Sequence, residues 1–241
     1  YSKKLFNPSL NKDELNLDNA TDIYASLSEL KGSALKVAQM LSMDKNILPK
    51  AYVDQFSLSQ YNAPPLSGPL IVRTFSKYFG KTPSEIYDEF NIRSTNAASI
   101  GQVHQASLNG KKLAVKIQYP GVGDSISSDL KMVKPFAFRL LGMSQKELEV
   151  YMCEVEERLL EETDYELEIK RSIEFSEACK NIPNVVFPTY YPELSSKRII
   201  TMDWLDGLHM KEFMKTNPSQ ELRDKVGQAL WDFYNFQQHE L

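Results

Sequence analysis

The sequence predicts an α+β fold in which a small antiparallel sheet is set among helices. Two strand-like runs, 103–108 and 113–119, flank Asn109-Gly110. Asn-Gly between two such runs is the strongest local signal of a β-hairpin, because both residues tolerate the positive φ of a type I′ turn. Apolar residues recur at helical spacing on both sides of this hairpin. We therefore expect a sheet built around the hairpin and covered by helices.

Several helices are expected before the hairpin. A proline-rich stretch over 63–69 separates them into two groups, because proline lacks an amide donor and restricts the residue before it. The short helix predicted over 69–80 is expected to end at Gly80, since glycine readily adopts the left-handed conformation of a C-terminal cap. The predicted helices cover 22–43, a short stretch after Pro49, 69–80 and 84–90.

The chain after the hairpin is predicted to be mainly helical. Asp124 or Ser125 can cap a helix that runs to about Leu141, and Ser144 with Glu147 forms a capping-box pattern at the start of the next. That helix is long and charged, and we expect it to reach about 180, with a break along the way. Two strands are predicted at 185–188 and 198–205, followed by helices over 210–214 and from 219 onwards.

Composition excludes several classes of protein. The 241 residues include 28 Lys and Arg against 32 Asp and Glu, a net charge of −4, which argues against binding nucleic acid through overall charge. Cys153 and Cys179 lie in no CxxC or Cys/His spacing, so the pattern indicates neither a disulfide framework nor a zinc site. No apolar run reaches the ~20 residues of a membrane span. We expect a cytoplasmic or membrane-peripheral location.

Lys116 is the first candidate site residue, because it lies inside an apolar strand, Leu113-Ala114-Val115-Lys116-Ile117. An ammonium group at a poorly solvated position needs an anion, either a carboxylate or a phosphate. In protein kinases a lysine of this kind bridges nucleotide phosphates and a helix glutamate. The alternative interpretation is a lysine on the solvent face of an edge strand.

The stretch 95–103, just before the hairpin, is the second candidate. It holds alanines where a kinase has a glycine-rich turn over the phosphates. Small side chains still allow the backbone to approach a phosphate closely, although the alanine methyl restricts φ. An ordinary tight loop is the alternative.

Four segments in order resemble the UbiB/ADCK atypical kinase-like family, whose eukaryotic members support ubiquinone biosynthesis. The helix LKGSALKVAQMLS resembles the family's KxGQ segment, and AASIGQVH resembles its alanine-rich loop. LAVKIQYPGV is similar to its lysine strand, and EETDYELE to its ExDYxxE helix. These segments occupy 30–42, 97–104, 113–122 and 161–168. The resemblance implies a protein-kinase-like fold with a family-specific N-terminal helical extension.

The resemblance also implies the roles of particular residues. It makes Lys116 the nucleotide lysine, Glu162 its helix partner and Glu168 a second acidic position. Lys36 and Gln39 are implied to point into the nucleotide cleft, and their i, i+3 spacing puts them on one helix face. The resemblance therefore implies nucleotide-binding residues at Lys36, Gln39, Ala97, Ala98, Ser99, Ile100, Gly101, Gln102, Val103, Lys116 and Glu162.

One position departs from the family pattern, and one feature of the family departs from ordinary kinases. Ala38 replaces the glycine of the KxGQ motif and adds a methyl group where the helix approaches another segment. Alanine at 97 or 98 replaces a kinase glycine, which the resemblance implies disfavours ordinary kinase chemistry. Phosphorylation of other proteins is therefore not the expected activity.

The catalytic half of a kinase is not evident in the sequence. Phosphoryl transfer requires a catalytic-loop Asp, an Asn and a second Asp, and no such set follows Leu205. Residues 203–207 lie where the family has its inter-lobe hinge. We expect an N-terminal excerpt with no assigned catalytic or metal-binding residue. It would comprise a helical extension (1–68), a kinase-like N-lobe (69–205) and the start of a C-lobe (206–241).

Two main functional hypotheses follow. In the first, the chain is the ATP- or ADP-binding part of an atypical kinase-like ATPase, with Mg²⁺ expected only alongside the C-terminal half. Its implied partners are a nucleotide, an isoprenoid or quinone-precursor lipid and a membrane surface. In the second, it is a pseudokinase scaffold that binds nucleotide or lipid without turnover. A third interpretation is a helical module that binds a partner or membrane through the predicted helix over 22–43.

Overall fold

The structure is a computed structural model that describes residues 65–98, 100–141 and 143–241. The predicted helices over 22–43 and after Pro49 lie outside these ranges. The described helices are α1 (Gly68–Phe79), α2 (Pro83–Ile86), α3 (Val122–Leu141), α4 (Gln145–Thr163), α5 (Tyr165–Cys179), α6 (Met210–Lys215) and α7 (Gln220–His239). The strands are β1 (Glu89–Phe90), β2 (Asn96–Ala97), β3 (Gly101–Leu108), β4 (Lys111–Gln118) and β5 (Ile199–Asp203).

The five strands form one antiparallel sheet in the order β1-β3-β4-β5, and β2 also pairs with β3. The predicted hairpin is confirmed as β3 and β4. Asn109 and Gly110 form its turn with φ of 52° and 75°, the positive values that a type I′ turn requires. β4 is paired on both sides, so the interpretation of Lys116 as an edge-strand residue is wrong.

Each face of the sheet is covered by a different helix. Leu113, Val115 and Ile117 alternate along β4 and are buried in a cluster with Ile71 and Phe75 of α1. This packing follows from the period of two in a strand, which sends every second side chain to the same face.

The opposite face of the sheet packs against α5. Ile100 and Ile200 are buried there with Tyr165 and Ile169. Lys116 lies opposite Ile200 in the register of β4 and β5, and directly opposed residues share a face. The side chain of Lys116 therefore leaves the sheet on the α5 side.

The helix boundaries largely follow the predicted caps. α1 ends at Gly80, with φ of 67°, as predicted. Ser144 accepts a hydrogen bond from the Glu147 amide at the start of α4. α3 begins at Val122, two or three residues before the predicted capping position, because the chain turns at Gly121 with φ of 78°.

Two predicted elements are wrong. The helix expected over 84–90 ends at Ile86, and Glu89–Phe90 instead pair with β3 as β1. The strand expected over 185–188 is absent from the sheet, and the pairing at this point is one bridge between Tyr190 and Met202. Pro188 has no amide hydrogen to donate to a strand ladder, and Val186 is exposed rather than packed.

Candidate functional site

The candidate site is built around Lys116, which projects from β4 toward α5. Its ammonium lies 2.7 and 3.0 Å from the two carboxylate oxygens of Glu168. The two side chains are 17% and 32% exposed, so the ion pair is only partly hydrated. A charge-assisted bond in such surroundings is stronger than a surface ion pair.

The ring of Tyr165 contacts the ammonium group of this ion pair. The Lys116 ammonium lies 4.7 Å from the centroid of the Tyr165 ring, in cation-π geometry. Tyr165 itself is fully buried. Burial, and then the negative charges of Glu168 and Glu162, raise the pKa of Tyr165 well above its usual range, so its phenol stays neutral.

Glu168 reaches Lys116 because the chain breaks between α4 and α5. Asp164 has φ and ψ of −88° and 89°, which ends α4, and its side chain accepts a hydrogen bond from the Leu167 amide, which caps α5. Tyr165 and Glu168 are then three residues apart in the first turn of α5 and lie on one helix face. The break therefore places both side chains next to Lys116.

The predicted partner of Lys116 was the wrong glutamate: the ion pair is made by Glu168, not Glu162. Glu162 lies in the last turn of α4, before the break at Asp164, and so belongs to a different helix. It still lines the same cavity as Lys116. The motif pattern could not distinguish the two because it does not indicate where the helix breaks.

A cavity of about 620 Å³ opens beside the ion pair, within the size range of small-molecule sites. Its charges are balanced: Lys116 pairs with Glu168, and Arg171 binds Glu161 through two contacts of 2.9 and 3.2 Å. The aromatic side chains of Phe175, Phe187 and Tyr190 line the same cavity. The arrangement offers cations for phosphates and flat apolar surfaces for a ring.

The alanine-rich loop lies at one end of the sheet. Ala97 is in β2, and the Ala98 amide donates to the Gly101 carbonyl, which closes a tight turn. At Gly101 a Cβ would lie 2.3 Å from the Ile117 carbonyl oxygen, so only glycine fits this backbone. Val103 lies opposite Lys116 in the register and shares its face.

Other predicted loop residues have structural contacts. Ile100 is buried in the core cluster with Tyr165. The Gln102 side chain accepts a hydrogen bond from the Leu66 amide and contacts His104 Nε2 at 2.7 Å. The side chains of Ile100 and Gln102 are therefore occupied by packing and hydrogen bonds within the protein. Lys36, Gln39 and Ser99 lie outside the described residues.

His104 has the packing role that its position in a strand favours. Its Nδ1 lies 2.9 Å from the Asn91 carbonyl oxygen, and its ring stacks on Phe90. Burial lowers the pKa of His104 below its usual value, which favours the neutral ring. It does not line the cavity beside Lys116.

Two features of the site are not predicted by the sequence. Tyr165 was not predicted, although its position three residues before Glu168 is a signal of a shared helix face. Phe175 and Phe187, which line the cavity, were also missed, because nothing local links an α5 residue to the loop before β5.

No metal site is found among the residues that the structure describes: none of them forms a group of three His, Cys, Asp or Glu side chains suited to an ion. Likewise, none of the helices in the described ranges combines the length and apolar character needed to cross a membrane.

A lysine on a strand of the sheet that pairs with a helix glutamate beside a cavity is the arrangement of kinase-like proteins. Comparison with known structures supports this class. The Mycobacterium tuberculosis protein Rv3197, solved with erythromycin, superposes with a TM-score of 0.56 at 30% identity. The match covers 90% of this chain and 56% of that one. The predicted kinase-like α+β fold is confirmed.

The sequence profile of the ABC1 atypical kinase-like domain matches residues 58–240. The chain therefore belongs to the ABC1 atypical kinase-like family, and the resemblance stated above is confirmed.

Curated relatives carry names of the same family. A probable serine/threonine-protein kinase abkA of Dictyostelium discoideum is 32% identical over 226 residues. The mitochondrial atypical kinases coq-8 of Caenorhabditis elegans and COQ8 of Saccharomyces cerevisiae are 33% and 31% identical. These matches cover 88%, 78% and 92% of this chain but only 40%, 25% and 44% of the three relatives. The chain thus spans less than half the length of each.

Proposed function

We propose that this chain forms the ATP- or ADP-binding part of an atypical kinase-like ATPase that supports quinone or isoprenoid-lipid metabolism. The observation that carries the proposal is the contact of 2.7 Å between Lys116 and Glu168 at the edge of a cavity of about 620 Å³. A lysine held in this way by a carboxylate can present its remaining donors to nucleotide phosphates.

The proposed division of roles follows the geometry. Lys116 would bind the phosphates, Glu168 would orient the lysine, and the backbone of the loop around Gly101 would cover them. The aromatic side chains of Phe175 and Tyr190 would contact the base. Mg²⁺ is proposed to bind together with a C-terminal half of a kinase-like fold, as membership of the kinase-like family implies.

The metabolic role rests on the family. Relatives named COQ8 and coq-8 motivate the link to quinone metabolism, and the resemblance motivates an isoprenoid or quinone-precursor lipid partner at a membrane surface. Phosphorylation of proteins in trans is not proposed, because Ala97 and Ala98 stand where kinases have flexible glycines. We also propose the division into an extension (1–68), an N-lobe (69–205) and the start of a C-lobe (206–241).

A pseudokinase scaffold is the second candidate. The alanine-rich turn favours it, because a stiffer loop suits tight nucleotide binding more than repeated exchange of nucleotide. Measuring the release of phosphate from ATP distinguishes the ATPase from the scaffold. Steady release of more than one phosphate per protein chain supports the ATPase. Binding of ATP without release of phosphate supports the scaffold.

The binding proposal is tested by thermal unfolding with ADP or ATP and Mg²⁺. A ligand that binds the native state raises the unfolding temperature. We expect this rise for the original chain and its loss in Lys116→Ala. Lys112→Ala is the matched control, because Lys112 lies four residues earlier on β4 and is 61% exposed.

The control should keep the full shift. No shift in the original chain, or an equal shift in Lys116→Ala, would overturn the assignment of the nucleotide to this cavity.

A further inference from the structure

A second cavity, of about 500 Å³, lies between α1 and the turn that follows β4. It shares no lining residue with the cavity beside Lys116. Arg73 and Lys77 of α1 line one side, and Arg198, just before β5, lines the other. Its remaining polar side chains include Gln118 and Asp124.

The charge of this cavity is opposite to that of the chain. Three cations and one carboxylate give its lining a net positive charge, whereas the whole chain carries −4. Within the described ranges, the ion pairs of the protein include neither Arg73, Lys77 nor Arg198. Like charges in one cavity repel each other, and a bound anion offsets this electrostatic repulsion.

Arg198 is held in place before any ligand arrives. Its guanidinium donates to the Gln118 side-chain oxygen, and Gln118 in turn donates to the Thr163 carbonyl at 3.0 Å. A Cβ on Gly123 would lie 3.2 Å from the guanidinium nitrogens, so the glycine leaves room for this position. Arginine has five N–H donors in a planar fork, and the Gln118 bond uses only part of that set.

The two α1 cations face the same space. Arg73 and Lys77 are one helical turn apart, at i and i+4, and therefore lie on one face of α1. Both are exposed, so the cavity can be entered from solvent. A fixed guanidinium on one wall and two exposed cations on the other can surround an anion from opposite sides.

We propose that this cavity binds a phosphate monoester carried on a small organic molecule or on a lipid headgroup. Arginine recognises phosphate through parallel N–H donors, and lysine adds a point charge. The volume exceeds that of a free phosphate and accommodates an attached group. The cavity is separate from the proposed nucleotide site, so an experiment can contradict one of the two proposals without contradicting the other.

The test compares two probes that carry the same phosphate monoester. Glycerol 3-phosphate is titrated into the full chain by calorimetry, and phosphatidylcholine vesicles with and without phosphatidic acid are used in co-sedimentation. The test variant is Arg73→Ala/Lys77→Ala, at two exposed helix positions where alanine preserves the helix. Lys211→Ala/Lys215→Ala is the control, because it also removes two exposed cations at i, i+4 from a helix.

We expect about tenfold or greater weakening of binding in Arg73→Ala/Lys77→Ala, as for the loss of charge-assisted bonds. The Lys211→Ala/Lys215→Ala control should bind like the original chain. Binding of glycerol 3-phosphate identifies a soluble ligand, whereas binding only to phosphatidic acid vesicles identifies a lipid headgroup. Absence of binding to both probes, or binding that survives in the test variant, would overturn the proposal.

Discussion

At the scale of single residues, the central feature is which glutamate forms the ion pair with Lys116. Glu162 and Glu168 belong to one sequence motif, and within the described part of the chain Lys116 pairs with Glu168. The reason is local: Asp164 ends α4 and caps α5, so the two glutamates project from different helices. The orientation of Lys116 thus depends on a helix break that the motif alone does not indicate.

This choice predicts different effects for the two glutamates on ADP binding. Glu168→Gln removes the charge that orients Lys116 while keeping the shape of the side chain. We expect its Kd for ADP to rise by about tenfold, the loss of one charged hydrogen bond, and the Kd of Glu162→Gln to rise less. Calorimetric titration measures both.

Glu166→Gln is the matched control, because Glu166 is exposed on the same turn of α5. An effect of Glu162→Gln that equals or exceeds that of Glu168→Gln would contradict the assigned partner.

His104 predicts a pH dependence of stability. Burial lowers its pKa in the folded state, so the unfolded chain binds more protons below about pH 6.5. Stability contributed by the neutral ring is therefore present above that pH and is lost as pH falls, by up to ~1.4 kcal/mol per unit. Urea unfolding between pH 5 and 7 measures the free energy of unfolding at each pH. Its slope against pH should be smaller for His104→Gln than for the original chain.

His209→Gln is the control for that experiment, because His209 is exposed. It should keep the slope of the original chain. An unchanged slope in His104→Gln would show that this histidine does not contribute the effect.

At the scale of the elements, the close approach of β3 to β4 depends on Gly101. A Cβ at this position would lie 2.3 Å from a backbone oxygen of Ile117, which cannot move without disturbing the sheet. We expect Gly101→Ala to lower the free energy of unfolding by about 1–3 kcal/mol or more, as for overpacked sites. Denaturant unfolding measures the change.

Gly207→Ala provides the comparison, because no atom lies within 4 Å of a Cβ at that position. Its effect should stay within about 0.5 kcal/mol. Equal stability of the two variants would argue against the tight approach of the strands.

The elements also show what the sequence could predict and what it could not. The hairpin, the cap at Gly80 and the capping box at Ser144 depend on local chemistry, and they were predicted correctly. The strand predicted over 185–188 was wrong because its β propensity was offset by Pro188, which has no amide donor, and by the exposure of Val186.

The site was predictable only where it depends on local chemistry. Lys116 was recognised because an ammonium in an apolar strand is a local anomaly. Its contacts with Glu168 and Tyr165 depend on how α5 packs on the sheet, a tertiary relation that spacing does not encode. The basic cavity joins α1 to Arg198, more than a hundred residues apart in sequence, and no local pattern predicts it.

At the scale of the whole molecule, an aromatic cluster connects α7 to the rest of the fold. Phe233 of α7 contacts both Phe175 of α5 and Phe187, with ring centroids 5.9 Å apart in each case. Every residue of α7 is at least partly exposed to solvent. The cluster is therefore a principal attachment of this helix to the described part of the chain.

Phe233→Ala is expected to loosen α7 selectively. Loss of the ring removes both contacts, so the amides of α7 should exchange hydrogen about tenfold faster or more, while those of the β3-β4 hairpin stay protected. Hydrogen exchange followed by mass spectrometry resolves the two regions. Tyr234→Ala, at a position 56% exposed, should leave the exchange of α7 nearly unchanged, and equal effects of the two variants would contradict the role of the cluster.

The central claim, that a nucleotide binds beside the Lys116 and Glu168 pair, is tested most directly by a crystal structure of the chain with ADP. We predict the diphosphate within hydrogen-bond distance of the Lys116 ammonium, with Glu168 still in contact with that lysine. ADP bound elsewhere, for example with its phosphates between Arg73 and Arg198, would contradict the account.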